Sequence, residues 1–270
     1  MPITVKTFAT LGEAASALSS DRAARFLGGG TLVMRAINEG DVSISTVVRA
    51  TDRAFAEIRP TGARVTLGAG VTMAQVIANR ELSFLHPVAR AVGGPAIRNM
   101  ATVGGNLFAP SPYGDFTVAL LALDATVAMS GGYSGRETPL EEFLGNRERA
   151  NGLVASVTFN RPNPEAFRFR KVSRVKPNGI SVLSIAAHLP MNGGRIAGAR
   201  VAYGAMGPMP MRAKPVERAL EGKALDESGI AAAVAVAAEG TQPPTDAIAS
   251  TWYRREMVAV HLKRLLTGTG

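Results

Sequence analysis

The amino-acid sequence predicts an α+β protein: two small α/β units followed by a C-terminal domain of strands and helices. Three observations carry that expectation. Strand and helix patterns alternate through the first part of the chain, with a capping box opening a helix in each unit. The run Arg161-Pro162-Asn163-Pro164 then breaks the pattern, because each proline removes a backbone donor and restricts the residue before it. Beyond it stand a pair of strands and two closing helices. The expected domains are residues 1–56, 57–162 and 165–270.

The first unit reads strand, helix, strand. Thr10 and Glu13 form a capping box, and Leu11, Ala14, Ala15 and Leu18 follow at helical spacing. A short strand at Arg25-Phe26-Leu27 runs into Gly28-Gly29-Gly30-Thr31, and a helix from Leu32 to Glu39 stops at Gly40. Thr46 to Arg49 reads as a strand. In the second unit Val65 to Gly70 is a strand, and Thr72 with Gln75 caps a helix from Met73 to Asn79. Residues Gly93 to Asp115, with five glycines and three prolines, read as loop. The apolar run Phe116 to Leu123 reads as helix, and Ala125–Met129 and Leu153–Phe159 as strands. In the last domain Val182–Leu189 and Arg195–Tyr203 form strands joined by Met191-Asn192-Gly193-Gly194. Helices Ile230–Ala238 and Arg254–Leu266 follow, the second with Val258, Leu262, Leu265 and Leu266 on one face.

Composition narrows the function. With 46% apolar and 19% charged residues, the 270-residue chain suits a packed globular protein and not a disordered one. No apolar run reaches the roughly 18–20 residues of a membrane span. The start Met1-Pro2-Ile3-Thr4-Val5-Lys6 has neither an apolar signal core nor a twin-Arg pair, so a cytoplasmic location is expected. There is no cysteine, which excludes disulfides, thiol nucleophiles and Cys-ligated zinc or iron–sulfur clusters. His86, His188 and His261 are too scattered to suggest a His-rich metal site. Redox chemistry would therefore need an organic cofactor. The net charge of +9 is spread along the chain without an aromatic-plus-basic pattern. It points to a solvated basic surface or an acidic partner in preference to nucleic acid.

Two glycine clusters carry the chemistry. Gly28-Gly29-Gly30-Thr31 lies between a strand and a helix, where small residues let an anion approach the backbone N–H groups. A pyrophosphate would fit there, and so would an ordinary tight turn. It is neither a Rossmann fingerprint, since Val33 stands at the third glycine position, nor a P-loop, which needs Lys followed by Ser or Thr. The second cluster, Thr102-Val103-Gly104-Gly105-Asn106, follows Ile97-Arg98-Asn99 and precedes Ser111-Pro112-Tyr113-Gly114-Asp115. Mixing glycines with Asn, Thr, Ser, Arg and Asp suits a polar ligand, and two such clusters suggest a bound dinucleotide.

The run Ile97-Arg98-Asn99-Met100-Ala101-Thr102-Val103-Gly104-Gly105-Asn106-Leu107, then Ser111-Pro112 with Asp115, then Leu120 to Ala125, resembles the FAD-binding medium subunit of molybdenum hydroxylases. That family includes carbon monoxide dehydrogenase flavoproteins and the flavin domain of xanthine dehydrogenases. Leu27 to Thr31 is similar to its A-G-G-T loop, and Arg136 with Pro139-Leu140 and Phe143 to its R-x-x-P-L-x-x-F stretch. Phe169 to Arg174, Met211-Arg212-Ala213 with Glu217, and Tyr253-Arg254-Arg255 match further motifs in the same order.

The resemblance implies an FAD fold of the vanillyl-alcohol-oxidase (PCMH) type for the two α/β subdomains. It implies a C-terminal α+β domain of the CO dehydrogenase flavoprotein type. It also implies cofactor contacts. Leu27, Gly28, Gly29, Gly30, Thr31 and Leu32 match the first pyrophosphate loop; Ile97, Arg98, Ala101, Thr102, Gly104, Gly105 and Asn106 match the second motif. Ser111 matches a further cofactor contact, Asp115 a carboxylate bonding the ribityl or nearby hydroxyls, and Lys171 a cation beside the flavin ring or, on a plainer reading, a strand-end charge. Leu32 replaces the usual Asp, and Ala96 the usual Gln. The first loop has no His, so FAD is expected to be noncovalent.

The implied role is that of an oxidoreductase flavoprotein in a heterotrimer, expected as a dimer of heterotrimers. A large subunit would carry molybdenum–pterin and a small one two 2Fe–2S clusters, from which FAD would pass electrons to an external acceptor. The alternatives are a free-standing flavin oxidase or dehydrogenase of the same broad fold, for which Tyr113 or His86 could be the acid or base, and a scaffold without cofactor.

Overall fold

The structure is a computed structural model that describes residues 2–131, 137–150, 152–176 and 179–268. Arg136 lies outside the described residues. The chain opens with β1 (Thr4–Phe8), α1 (Leu11–Ser19), β2 (Ala24–Phe26), α2 (Val33–Asn38) and β3 (Thr46–Ala50). Next come β4 (Ile58–Thr61), β5 (Arg64–Gly68), α3 (Met73–Ala78), α4 (His86–Arg90), α5 (Pro95–Met100), α6 (Val103–Leu107) and α7 (Asp115–Ala122). They are followed by β6 (Thr126–Ser130), β7 (Glu137–Pro139), α8 (Leu140–Asn146) and β8 (Leu153–Asn160). The C-terminal part holds β9 (Phe167–Ser173), β10 (Ser181–His188), β11 (Met191–Asn192), β12 (Arg195–Ile196), β13 (Arg200–Gly204) and β14 (Met211–Arg212). Helices α9 (Lys214–Leu220), α10 (Glu227–Ala235) and α11 (Thr251–Thr267) close it.

These elements form two compact units. The first comprises Met1–Ala78, Gly94–Ala109 and Ala125–Asn160; the second comprises Asn79–Gly93, Pro110–Asp124 and Arg161–Gly270. The first unit contains a parallel sheet, β1-β3-β2, and an antiparallel sheet, β4-β5-β8-β6-β7. Both expected capping boxes are present. Thr10 Oγ1 accepts from the Glu13 amide at 3.2 Å while Glu13 accepts from the Thr10 amide at 3.1 Å. Thr72 and Gln75 exchange the same pair of bonds at 2.8 and 3.2 Å. Each box satisfies donors that a helix start otherwise leaves unpaired.

The stretch 93–115 departs from the expected loop, because α5 and α6 fold within it. Pro95 stands in the first turn of α5, where its fixed φ and missing N–H cost nothing, and the Thr102 side chain caps α6.

In the second unit the sheet runs β14-β13-β10-β9. Alternation along β10 sorts its side chains: Leu183, Ile185 and Ala187 join Val201, Tyr203, Val258, Leu262 and Leu265 in one buried cluster. All eight residues of α7 are buried, which explains why its sequence is apolar without a polar face. The single strand expected from Arg195 to Tyr203 is split into β12 and β13. Between them Gly198 sits at φ +78° and its amide donates to Glu221 Oε2 at 2.9 Å, so the ladder cannot continue through it.

Arg254 is wholly buried on α11. Its Nε donates to Val182 O at 2.8 Å, one terminal nitrogen binds both Asp246 carboxylate oxygens at 2.9 Å, and the other donates to Pro244 O and Ala249 O. The guanidinium ties a long loop and a strand to the last helix.

Candidate functional site

The site in the first unit begins where the parallel sheet ends. The Leu27 amide makes the last ladder-like bond, to Val48 O at 2.8 Å. Among the described residues, none of the next six backbone N–H groups, Gly28 to Val33, donates a hydrogen bond within the chain. Residues 29–33 are half-buried, and amides shielded from water without partners are costly unless something binds them. The glycines are needed for close approach. A β-carbon on Gly29 would lie 1.5 Å from the Met100 carbonyl oxygen, and Gly30 has φ +78°.

The second cluster has the opposite character. Thr102 is buried, and its Oγ1 accepts from the Gly105 amide at 3.0 Å. The amides of Val103, Gly104 and Asn106 donate to Val71 O at 2.8 Å, Ala69 O at 2.7 Å and Thr102 O at 3.0 Å. Gly104 is pressed against β5's end, where a β-carbon would meet the Ala69 methyl at 2.7 Å. The two clusters touch: a β-carbon on Gly28 would stand 3.2 Å from Thr102 Oγ1.

Beside them opens a cavity of about 460 Å³, within the range of ligand sites. Gly28, Gly29, Gly30, Thr31, Leu32, Thr102, Gly104 and Gly105 line it, with Phe26, Phe55, Phe108, Leu153 and Val154 as apolar wall. Leu27 backs Gly30. Ile97, Arg98, Ala101 and Asn106 lie off the lining. Ala101 fastens α5 to α3 by accepting from the Met73 amide at 3.0 Å. Two charged groups, Arg25 and Asp41, reach the wall. The hydroxyl and amide of Ser43 donate to the Asp41 carboxylate and hold it below the usual carboxylate range.

Ser111, Asp115 and Lys171 belong to the second unit. Lys171 Nζ lies 2.9 Å from Asp115 Oδ2 and donates to Ala91 O at 2.8 Å, while Ser181 donates to Asp115 Oδ1 at 2.8 Å. Asp115 is thus a buried, fully engaged carboxylate. The Ser111 hydroxyl is buried with no partner among the described residues. The row of unpartnered amides in the first unit fits a ligand carrying a diphosphate, as FAD does.

Sequence reasoning did not single out the aromatic wall, Arg25, Asp41 or Ser181. Phe108 follows the second glycine cluster directly and could have been flagged. Leu153 and Val154 are ordinary strand residues until the fold turns them toward the cavity.

Comparison with known proteins identifies two domains in this chain. Residues 2–160 match the family described as the FAD binding domain in molybdopterin dehydrogenase, and residues 168–269 match the CO dehydrogenase flavoprotein C-terminal domain. The glyceraldehyde dehydrogenase medium chain of Sulfolobus acidocaldarius is 27% identical over 73% of this chain and 72% of its own length. The xanthine dehydrogenase FAD-binding subunit of Escherichia coli O157:H7 is 24% identical, with 96% and 93% covered. Carbon monoxide dehydrogenase from Hydrogenophaga pseudoflava has the same fold, with a TM-score of 0.90 at 20% identity over 100% of this chain and 97% of that one.

Proposed function

Because this chain belongs to the family of FAD-binding domains in molybdopterin dehydrogenases, we propose that it is the electron-relaying flavoprotein subunit of a molybdenum hydroxylase. The observation that carries the reading is the six-amide run beside an apolar cavity, which suits a diphosphate joined to a flat, largely apolar group. FAD, when bound, supplies exchange of electrons singly or in pairs, which joins iron–sulfur donors to a two-electron acceptor. The chain's own residues bind and orient it. Gly28 to Val33 offer N–H groups, and the aromatic wall excludes water. Ile97, Arg98, Ala101 and Asn106 complete the second glycine motif, and Ala101 O holds α3 by accepting from the Met73 amide.

The finer reading is a heterotrimer with a large molybdenum–pterin subunit and a small 2Fe–2S subunit, paired into a dimer of heterotrimers in the cytoplasm. Among the described residues no helix is long and apolar enough to cross a membrane. The three-part division at 1–56, 57–162 and 165–270 belongs to the same proposal. The parallel sheet before residue 51 and the antiparallel five-strand sheet between 58 and 160 support its sheets, while residues 79–93 and 110–124 group with the C-terminal part.

An absorption spectrum of the chain purified with its native neighbours tests this. Flavin bands near ~370 and ~450 nm, released by acid, are expected, together with iron–sulfur absorption and molybdenum. Copurification without flavin, or failure of the reconstituted chain to take up FAD, would sink it.

A further inference from the structure

We propose that Met34 is a peroxide-sensitive modification site, whose oxidation to the sulfoxide loosens the first glycine loop and weakens the chain's hold on its cofactor. The modification stands on the composition of the chain and the packing of the first unit; its effect on FAD rests on the function proposed above.

The chain has no cysteine, so its ten methionines are the side chains a peroxide oxidises most readily. Among the described residues three of them are exposed: Met34 at 41%, Met100 at 53% and Met191 at 47%. Met73, Met129 and Met206 are buried, and Met209, Met211 and Met257 half-buried. Access therefore selects three sulfurs, and packing decides which of them matters. Gly30, at φ +78°, sits between two side chains: a β-carbon there would lie 3.1 Å from Leu27 Cδ1 and 3.2 Å from Met34 Cγ. With no side chain to anchor it, a glycine keeps its place through what packs over it. The Met34 amide also donates to Gly30 O at 2.9 Å. Helix α2 has six residues with none buried, so packing supports that first turn weakly. Met100 touches the loop differently, because what abuts Gly29 is its backbone carbonyl, which oxidation of the side chain leaves unchanged. Met191 belongs to the second unit.

The step is a two-electron oxidation by hydrogen peroxide. A lone pair on Met34 Sδ attacks one peroxide oxygen and the O–O bond breaks. The departing hydroxide takes the proton that the transferred oxygen sheds, which leaves sulfoxide and water. Sulfur is oxidised and peroxide reduced. The new oxygen is a strong acceptor that water satisfies and the Leu27–Gly30 contact does not, so the side chain turns outward and Gly30 loses one of its two apolar covers.

Peroxide treatment of the full chain, with the sulfoxides located by peptide mass mapping, tests the site. Met34, Met100 and Met191 are expected to oxidise before Met73, Met129 and Met206; an intact Met34 beside an oxidised buried methionine would overturn the proposal. The oxidised chain should bind FAD about fourfold more weakly, the factor that one lost methylene contact represents. Methionine sulfoxide reductases should restore the affinity. Met34→Leu should bind FAD equally before and after peroxide, whereas Met100→Leu and Met191→Leu should lose as much affinity as the wild type. Met34→Gln, polar at a similar length, should bind more weakly without any peroxide. A loss in Met34→Leu equal to that of the wild type, or undiminished affinity in wild type whose Met34 is shown to be oxidised, would refute the role of this residue. Hydrogen exchange in the FAD-free chain separates the site from the cofactor reading: the Met34 amide should exchange faster once the side chain is oxidised. If it does and the untreated chain binds no FAD, the proposed function fails and the modification site stands. If its exchange is unchanged by oxidation, the loop is not loosened and the site fails whatever FAD does.

Discussion

Lys171→Met should be one of the most damaging single changes in the second unit. The Lys171–Asp115 pair is 2.9 Å long, with side chains only 13% and 7% exposed, so neither charge has much water to fall back on. Its remaining bonds are spoken for as well: Lys171 donates to Ala91 O and Asp115 accepts from Ser181. Removing one partner of a buried pair leaves the other uncompensated, at about 3–5 kcal/mol. Asp115→Leu should cost a similar amount. The double variant loses both charges together, leaving only the Ser181 hydroxyl and the Ala91 carbonyl without partners. At about 1–3 kcal/mol for each such group, partly offset by better apolar packing, it should be more stable than either single variant. Urea denaturation of the four FAD-free chains measures the cycle, with the midpoint converted through a common slope. Singles that each cost less than about 1 kcal/mol and add without coupling would mean that the pair behaves like an exposed surface contact, and the burial argument would be wrong.

Three further outcomes follow from groups elsewhere in the second unit. Arg254→Lys keeps the charge but loses the planar fork that reaches Val182 O, Ala249 O and both oxygens of Asp246, and should lower stability by roughly 2–4 kcal/mol; a loss under 1 kcal/mol in a denaturant titration would contradict the geometry. Tyr203→Phe should leave stability unchanged or raise it by up to about 1 kcal/mol, since the hydroxyl is buried without a partner among the described residues. Burial first, and Glu217 second, push that phenol's pKa up, so the wild-type chain should also show no tyrosinate absorption from it in mildly alkaline buffer. Burial, with Arg170 and Arg264 nearby, pushes the pKa of His261 down. The unfolded chain then takes up a proton first as pH falls below about 6.5, so this contribution is whole above that pH and is lost on acidification toward the folded value. His261→Gln should flatten the fall in thermal midpoint between neutral and mildly acidic pH, whereas an unchanged slope would remove His261 from the account.

How much of this was legible beforehand depended on the range of the interactions. Capping boxes at Thr10 and Thr72, the helical stripe of α11 and the turn residues at Gly28–Gly30 are set by neighbours a few residues away, so periodicity and side-chain chemistry report them. The stripe even contained a warning: Arg254 lies four residues before Val258, on the apolar face, and such an arginine must be either buried and paired or misplaced. The loop reading of 93–115 failed because proline and glycine signals, which usually mark loops, also suit the first turns of α5 and α6.

By itself, the sequence determined the family, the α+β class, and the absence of cysteine ligands for a metal cluster in this chain. The last of these follows from a sequence without a single cysteine. Only the tertiary structure decided which backbone donors are free. A glycine reads the same whether its amide faces Ala69 O or faces a cavity, because hydrogen-bond partners across a fold leave no trace in local composition. The same holds for the Lys171–Asp115–Ser181 network and for the assignment of residues 79–93 and 110–124 to the second unit. Contacts between residues far apart in the chain are chosen by packing and burial, and those terms exist only once the chain has folded.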